Sequence, residues 1–141
     1  MSTVETAQVE LSNQQPRTRT AQSPHPADRL RVSVTRPSRS VTLCAVAGEA
    51  DQFTAEHFRH RLIGSLDSAA PTVVVDLSNV SFLGVAGLRV LQEARDWTGH
   101  TRRTLRLVTG SRSVDRLLEV ASAAAPFEIA PDLASAVLGV A

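Results

Sequence analysis

Thr72-Val73-Val74-Val75 is an unbroken β-branched run, preceded by Pro71 and followed further along by a helical repeat. β-Branched side chains are stiff at χ1 and favour extended backbone. A run of them with no polar alternation suits a strand covered on both faces. Val90, Leu91, Ala94 and Trp97 then recur at helical spacing, which predicts a helix from about Gly87 to Thr98. A doubly covered strand feeding a helix demands a layered fold, with a parallel sheet and crossover helices. The strand is expected to end at Asp76, with a short turn between it and the helix.

The rest of the chain repeats this grammar. Arg31–Thr35 alternates apolar and polar residues as an edge strand would, and Val41–Val46 alternates again before Gly48, so the two read as a hairpin. Phe58, Leu62 and Leu66, with Ala55 and Ile63 beside them, mark a helix to about Ser68 that Thr54 can cap. Leu105–Val108 reads as a further strand, and Val114, Leu117, Leu118 and Ala121 as another helical stripe. Pro126 stops that helix. Phe127–Ala130 is a short strand, and Pro131 leads into a last helix to about Leu138. The order β-β-α-β-α-β-α-β-α predicts a small single-domain α/β fold over residues 29–141, with a mixed, mostly parallel sheet.

Residues 1–28 differ in kind. They are rich in Ser, Thr, Gln and Pro and nearly free of large apolar side chains, so they cannot offset the entropy of ordering and are expected to be a disordered tail. Arg17 and Arg19 there could touch an acidic partner, but a solvated tail is the simpler expectation. The first residues have no basic start, apolar run or small-residue cleavage site, and no stretch is apolar enough to span a membrane. A cytoplasmic protein without membrane insertion is expected.

Composition removes several function classes. All fifteen basic residues are Arg, a pattern expected from a GC-rich genome, and the formal net charge of +1 argues against a nucleic-acid partner. The single cysteine, Cys44, cannot form an internal disulfide or a redox pair and is expected to be buried and inert. Without Lys there is no phosphate-cradling G-x-x-x-x-G-K-[ST] loop, and no G-x-S-x-G nucleophile elbow is present. His57 and His60 share a helix face but lack further metal ligands, so surface histidines are expected. Asp51, Asp76 and Asp96 suggest a receiver-like acidic pocket, which would need a lysine that the chain lacks. No catalysis, cofactor or metal is expected.

One segment remains informative. Gly84-Val85-Ala86-Gly87 lies at the predicted start of a helix, beyond the carboxyl ends of parallel strands. Such a place favours contact with a ligand, a phosphate or a partner, and small residues let another backbone approach. The same residues would also serve a loop made compact for packing alone.

The residues 76–94, DLSNVSFLGVAGLRVLQEA, resemble the central motif of the sulfate-transporter and anti-sigma-factor-antagonist (STAS) domain, D-L-S-x-V-x-F-[ILM]-D-S-S-G-L-x-V-L. Gly48-Glu49-Ala50-Asp51 with Thr54-Ala55 resembles that family's G-E-L-D…T-A segment, and Ser113–Val120 its V-x-R-L-L-E-[LI] helix. The resemblance implies a STAS-like fold over roughly residues 30–141. It also implies a stand-alone anti-sigma factor antagonist, which binds a kinase-type anti-sigma factor and is switched off when that kinase phosphorylates a serine at the helix start.

The chain departs from the pattern at that switch. D-S-S-G aligns with Gly84-Val85-Ala86-Gly87, which places Val85, without a hydroxyl, at the phosphoacceptor position. Ser81 lies too far back to be assumed a substitute, while Asp51 keeps the family's acid near the switch. The expected partner-binding residues are therefore Asp51, Leu83, Gly84, Val85, Ala86, Gly87 and Arg89. Constitutive binding and a different partner both remain open. Two other functions are compatible with the fold: a subunit associated with an ABC-type lipid transporter ATPase, and a nucleotide or small-ligand sensor in which backbone amides and Arg89 would hold a phosphate.

Overall fold

A computed structural model describes residues 25–68, 70–121 and 126–138. The described chain runs α1 (Pro26–Arg29), β1 (Leu30–Ser38), β2 (Val41–Ala50), α2 (Ala55–Ser65) with a 3-10 turn (Leu66–Ser68), β3 (Thr72–Leu83), α3 (Val85–His100), β4 (Thr104–Thr109), α4 (Arg112–Ala121), β5 (Glu128–Ala130) and α5 (Leu133–Leu138). The five strands lie side by side in chain order. β1 and β2 are antiparallel, and every other neighbouring pair is parallel. The fold is thus the expected small α/β domain with a mixed sheet. Among the described residues no helix is long and apolar enough to cross a membrane.

Alternation along β3 divides the interior. Val73, Val75 and Leu77 point into the larger core with Phe58 and Leu62 of α2, Leu88 and Leu91 of α3, and Leu118 of α4. Val74 points the other way, into a smaller core closed by Ala136 of α5. Residues Val73 to Leu77 are all buried, which is what a β-branched run without polar alternation requires. Cys44 is buried in the larger core, and desolvation pushes its thiol up to about 12. It therefore carries no thiolate at neutral pH.

Four boundaries differ from the sequence reading. β3 does not stop at Asp76 but continues to Leu83. Its pairing with β2 slips by one residue twice, between Ala45/Ala47 and between Gly48/Glu49; the bulges take up Leu77-Ser78 and Ser81, and Asn79 stays paired with Ala47. Asp76 makes the first one possible, because its Oδ1 accepts from the Ser78 amide at 3.0 Å and from Ser78 Oγ at 2.6 Å. α3 consequently starts at Val85, not at Gly87. At the far end α5 starts at Leu133 rather than at Pro131, with Asp132 Oδ1 accepting from the Ser135 amide at 2.7 Å.

The fourth boundary is at the amino end. Residues 1–24 of the expected tail, Arg17 and Arg19 included, lie outside the described residues, but the helical turn Pro26–Arg29 begins inside the 1–28 span. Pro26 suits the first helical position, and His25 Nδ1 accepts from the Ala27 amide at 3.2 Å. The turn is seated on β2. Gly48 has φ +117°, and a Cβ there would stand 2.1 Å from the Arg29 carbonyl oxygen. Gly48→Ala should therefore cost about 2 kcal/mol or more, from a left-handed backbone and a backbone clash together. A free energy of unfolding in urea lowered by that amount, with the midpoint shifted down, checks the seating; an unchanged midpoint contradicts it.

Candidate functional site

β2 and β3 end together, with Ala50 beside Leu83 in the ladder. The Gly84 amide then donates to the Ala50 carbonyl at 2.8 Å, and the Gly84 carbonyl accepts the first bond of α3 from Leu88 at 2.9 Å. Gly87 lies so close to β2 that a Cβ would meet the Ala50 carbonyl oxygen at 2.8 Å and Ala50 Cβ at 2.9 Å. The turn after β2 and the first turn of α3 are thereby held against each other. Between them lies an open groove of about 530 Å³, lined by Asp51, Gln52, Phe53, Phe82, Gly84, Val85, Ala86 and Arg89.

Five of the seven residues expected at the site line this groove: Asp51, Gly84, Val85, Ala86 and Arg89. Leu83 and Gly87 do not. Leu83 is 6% exposed and belongs to the core, because strand alternation turns it inward at the end of β3. Gly87 is buried by its approach to Ala50. Their place in the fold is to set the groove's geometry. Residues 84–87 thus combine the exposed Val85 side chain with a packed junction at Gly87.

The groove's apolar character comes largely from residues the sequence did not single out. Phe53 is 67% exposed, Phe82 52% and Val85 60%, so three large hydrophobic side chains meet water at one place. Phe82 occupies the F of the motif quoted above, which was the available signal. Phe53 carried none, because its exposure depends on the shape of the turn before α2.

Asp51 builds that turn. Its Oδ1 accepts from the amides of Phe53 at 2.9 Å and Thr54 at 3.1 Å, and its Oδ2 accepts from the Arg29 guanidinium. Arg29 also reaches Glu49 Oε1 at 2.7 Å and lies over the Phe53 ring, 5.8 Å from its centroid. Thr54 stands at the expected cap position, but its hydroxyl does not cap α2. It is buried, donates to the Glu49 carbonyl at 2.7 Å and accepts from the Asp51 amide at 2.9 Å.

Partial desolvation alone would raise the Asp51 carboxyl. The Phe53 and Thr54 amides and the Arg29 charge outweigh it and hold the group below the usual carboxylate range. A carboxyl whose folded value lies below its unfolded one stabilises the fold above the unfolded value, and that stabilisation is lost as pH falls through the folded one. Stability should therefore drop as pH falls below about 4, and Asp51→Asn should flatten that drop. Urea midpoints of both proteins from pH 6 to pH 2.5 check this; parallel curves would remove Asp51 from the turn's support.

His60 is exposed and His57 half-buried, and no group of three or more metal-ligating side chains occurs among the described residues. The sequence model of the STAS domain matches residues 33–136. In three dimensions the chain is similar to the crystal structure of an anti-sigma factor antagonist from Mycobacterium paratuberculosis, at 26% identity over 80% of this chain and 95% of that one, with a TM-score of 0.72. It is also similar in fold to the Bacillus cell fate determinant SpoIIAA in its phosphorylated form, at 14% identity over 78% of this chain and 99% of that one (TM-score 0.61). The anti-sigma factor antagonist SpoIIAA in its unphosphorylated form matches at 13% identity over 77% and 94% (TM-score 0.60). No curated protein matches the sequence.

Proposed function

The chain belongs to the STAS domain family, and on that premise we propose that it is a regulatory binding module of the anti-sigma factor antagonist kind, docking a kinase-type anti-sigma factor through the groove at the start of α3. The observation that carries this reading is the meeting of Phe53, Phe82 and Val85 on the surface at the place where the family motif has its D-S-S-G. Aromatic and aliphatic side chains grouped in a shallow depression are what a protein interface uses as anchors. The likeness to the Mycobacterium paratuberculosis anti-sigma factor antagonist supports the same choice of partner class. The module acts by occupying its partner, and sigma-factor-dependent transcription is what the occupancy would control.

Its binding is not switched at the usual place. A phosphate ester needs a hydroxyl, and none of the residues 84–87 has one. In a phosphorylated relative of this design a group of nearly two negative charges would stand on the contact surface. Here an apolar side chain stands there permanently, and the surface stays in its binding-competent charge state. Nucleotide sensing has less support, because the groove lining offers one cationic side chain, Arg89, and no Lys, Ser or Thr to hold a phosphate.

Val85→Asp tests the reading without the ambiguity of misfolding. Val85 is the first residue of α3, where an acid complements the helix dipole and contributes about 0.3–1 kcal/mol. The variant should keep or raise its Tm while its affinity for a kinase-type anti-sigma factor of the same organism, measured by calorimetry, falls on the order of tenfold or more. Incubation with that kinase and ATP should leave residues 84–87 unmodified by mass spectrometry. Unchanged affinity in the variant would place the interface elsewhere.

A further inference from the structure

The groove holds one cation that the protein does not use. Arg89 lines it, is exposed, and has no hydrogen bond or ion pair among the described residues. Two acids could have served it. Glu93 lies one helical turn on, at the i+4 position where side chains of opposite charge pair. It is instead held by Arg59 through two bonds, 3.0 Å from Nε and 2.9 Å from Nη2. Asp51, across the groove, is held by Arg29. The first turn of α3 contains no acid, so nothing local offsets a positive side chain near the positive end of a helix dipole. Each nearby carboxylate has an arginine of its own, and Arg89 is left over beside Phe82 and Val85.

We propose that the groove recognises an acidic side chain flanked by an apolar one on the anti-sigma factor, with Arg89 reading the acid while Phe53, Phe82 and Val85 cover the apolar group. The proposal deepens the docking function above and rests on it. Charge complementarity chooses the occupant. An acidic partner segment meets the one unmatched charge in the groove, whereas a basic segment would meet Arg89 and the helix dipole and find Asp51 already neutralised. Val85 and Arg89 are also one turn apart on the same exposed face. A negative group at position 85 would therefore sit where it could capture Arg89 within the protein, and the absence of a hydroxyl there keeps the cation available.

The test uses the full chain and the purified kinase-type anti-sigma factor at 50 and 300 mM salt. Wild-type affinity should fall with salt, because screening weakens the Arg89 contact. Arg89→Gln should bind on the order of tenfold more weakly at 50 mM and show a flatter salt dependence. Phe82→Ala should weaken binding while keeping the wild-type salt dependence, and Arg89→Lys should restore most of the loss. If Val85→Asp and Phe82→Ala lose affinity while Arg89→Gln matches wild type at both salts, the docking reading stands and the role of Arg89 is refuted. If the wild-type protein binds no such kinase, both fall together.

Discussion

The parallel pairing of β2 with β3, carried past two bulges to Ala50 and Leu83, is the constraint on which the rest of the site depends. Had β3 ended at Asp76, the chain would have left the sheet early, and the start of α3 would have had no fixed relation to the turn after β2. Because the two strands finish side by side, the Gly84 amide finds the Ala50 carbonyl and Gly87 can lie against Ala50. A backbone hydrogen bond and a glycine contact then fix the groove walls to a rigid sheet, and sites held by rigid elements are more precise than sites on free loops.

Charge at this end of the molecule is distributed by pairing. Arg29 is committed to Glu49 and Asp51, and Arg59 to Glu93, which ties α2 to α3. Exposed pairs of this kind contribute little stability. Their consequence is what they leave unpaired. The Asp51 carboxylate acts inside the protein, shaping a turn that exposes Phe53, and Arg89 is the charge that remains in the groove. A surface so arranged presents apolar anchors and a single cation, and it needs no covalent modification to keep that character.

The layered fold was legible because its signals are periodic and local. The β-branched run at Thr72–Val75 and the stripes through Phe58, Val90 and Val114 fall where the structure has β3, α2, α3 and α4. The end of β3 was not legible, since Ser78 and Asn79 read as a turn and only pairing with β2 keeps them in the strand. Leu83 and Gly87 illustrate a second limit: adjacency to a motif does not say which side faces out. Phe53 and Arg29 illustrate a third. Their contact joins a turn of helix before β1 to the turn after β2, and no sequence spacing announces it.

The proposed docking at the start of α3 is tested most directly by mapping where a kinase-type anti-sigma factor would touch this protein. Hydrogen exchange of the free protein and of its complex with the kinase-type anti-sigma factor would locate that contact without any substitution. Docking in the groove predicts slowed exchange in peptides spanning residues 49–54 and 80–90, with α4 and β5 unchanged. Protection confined to α4 and β5, with the start of α3 exchanging as in the free protein, would contradict it.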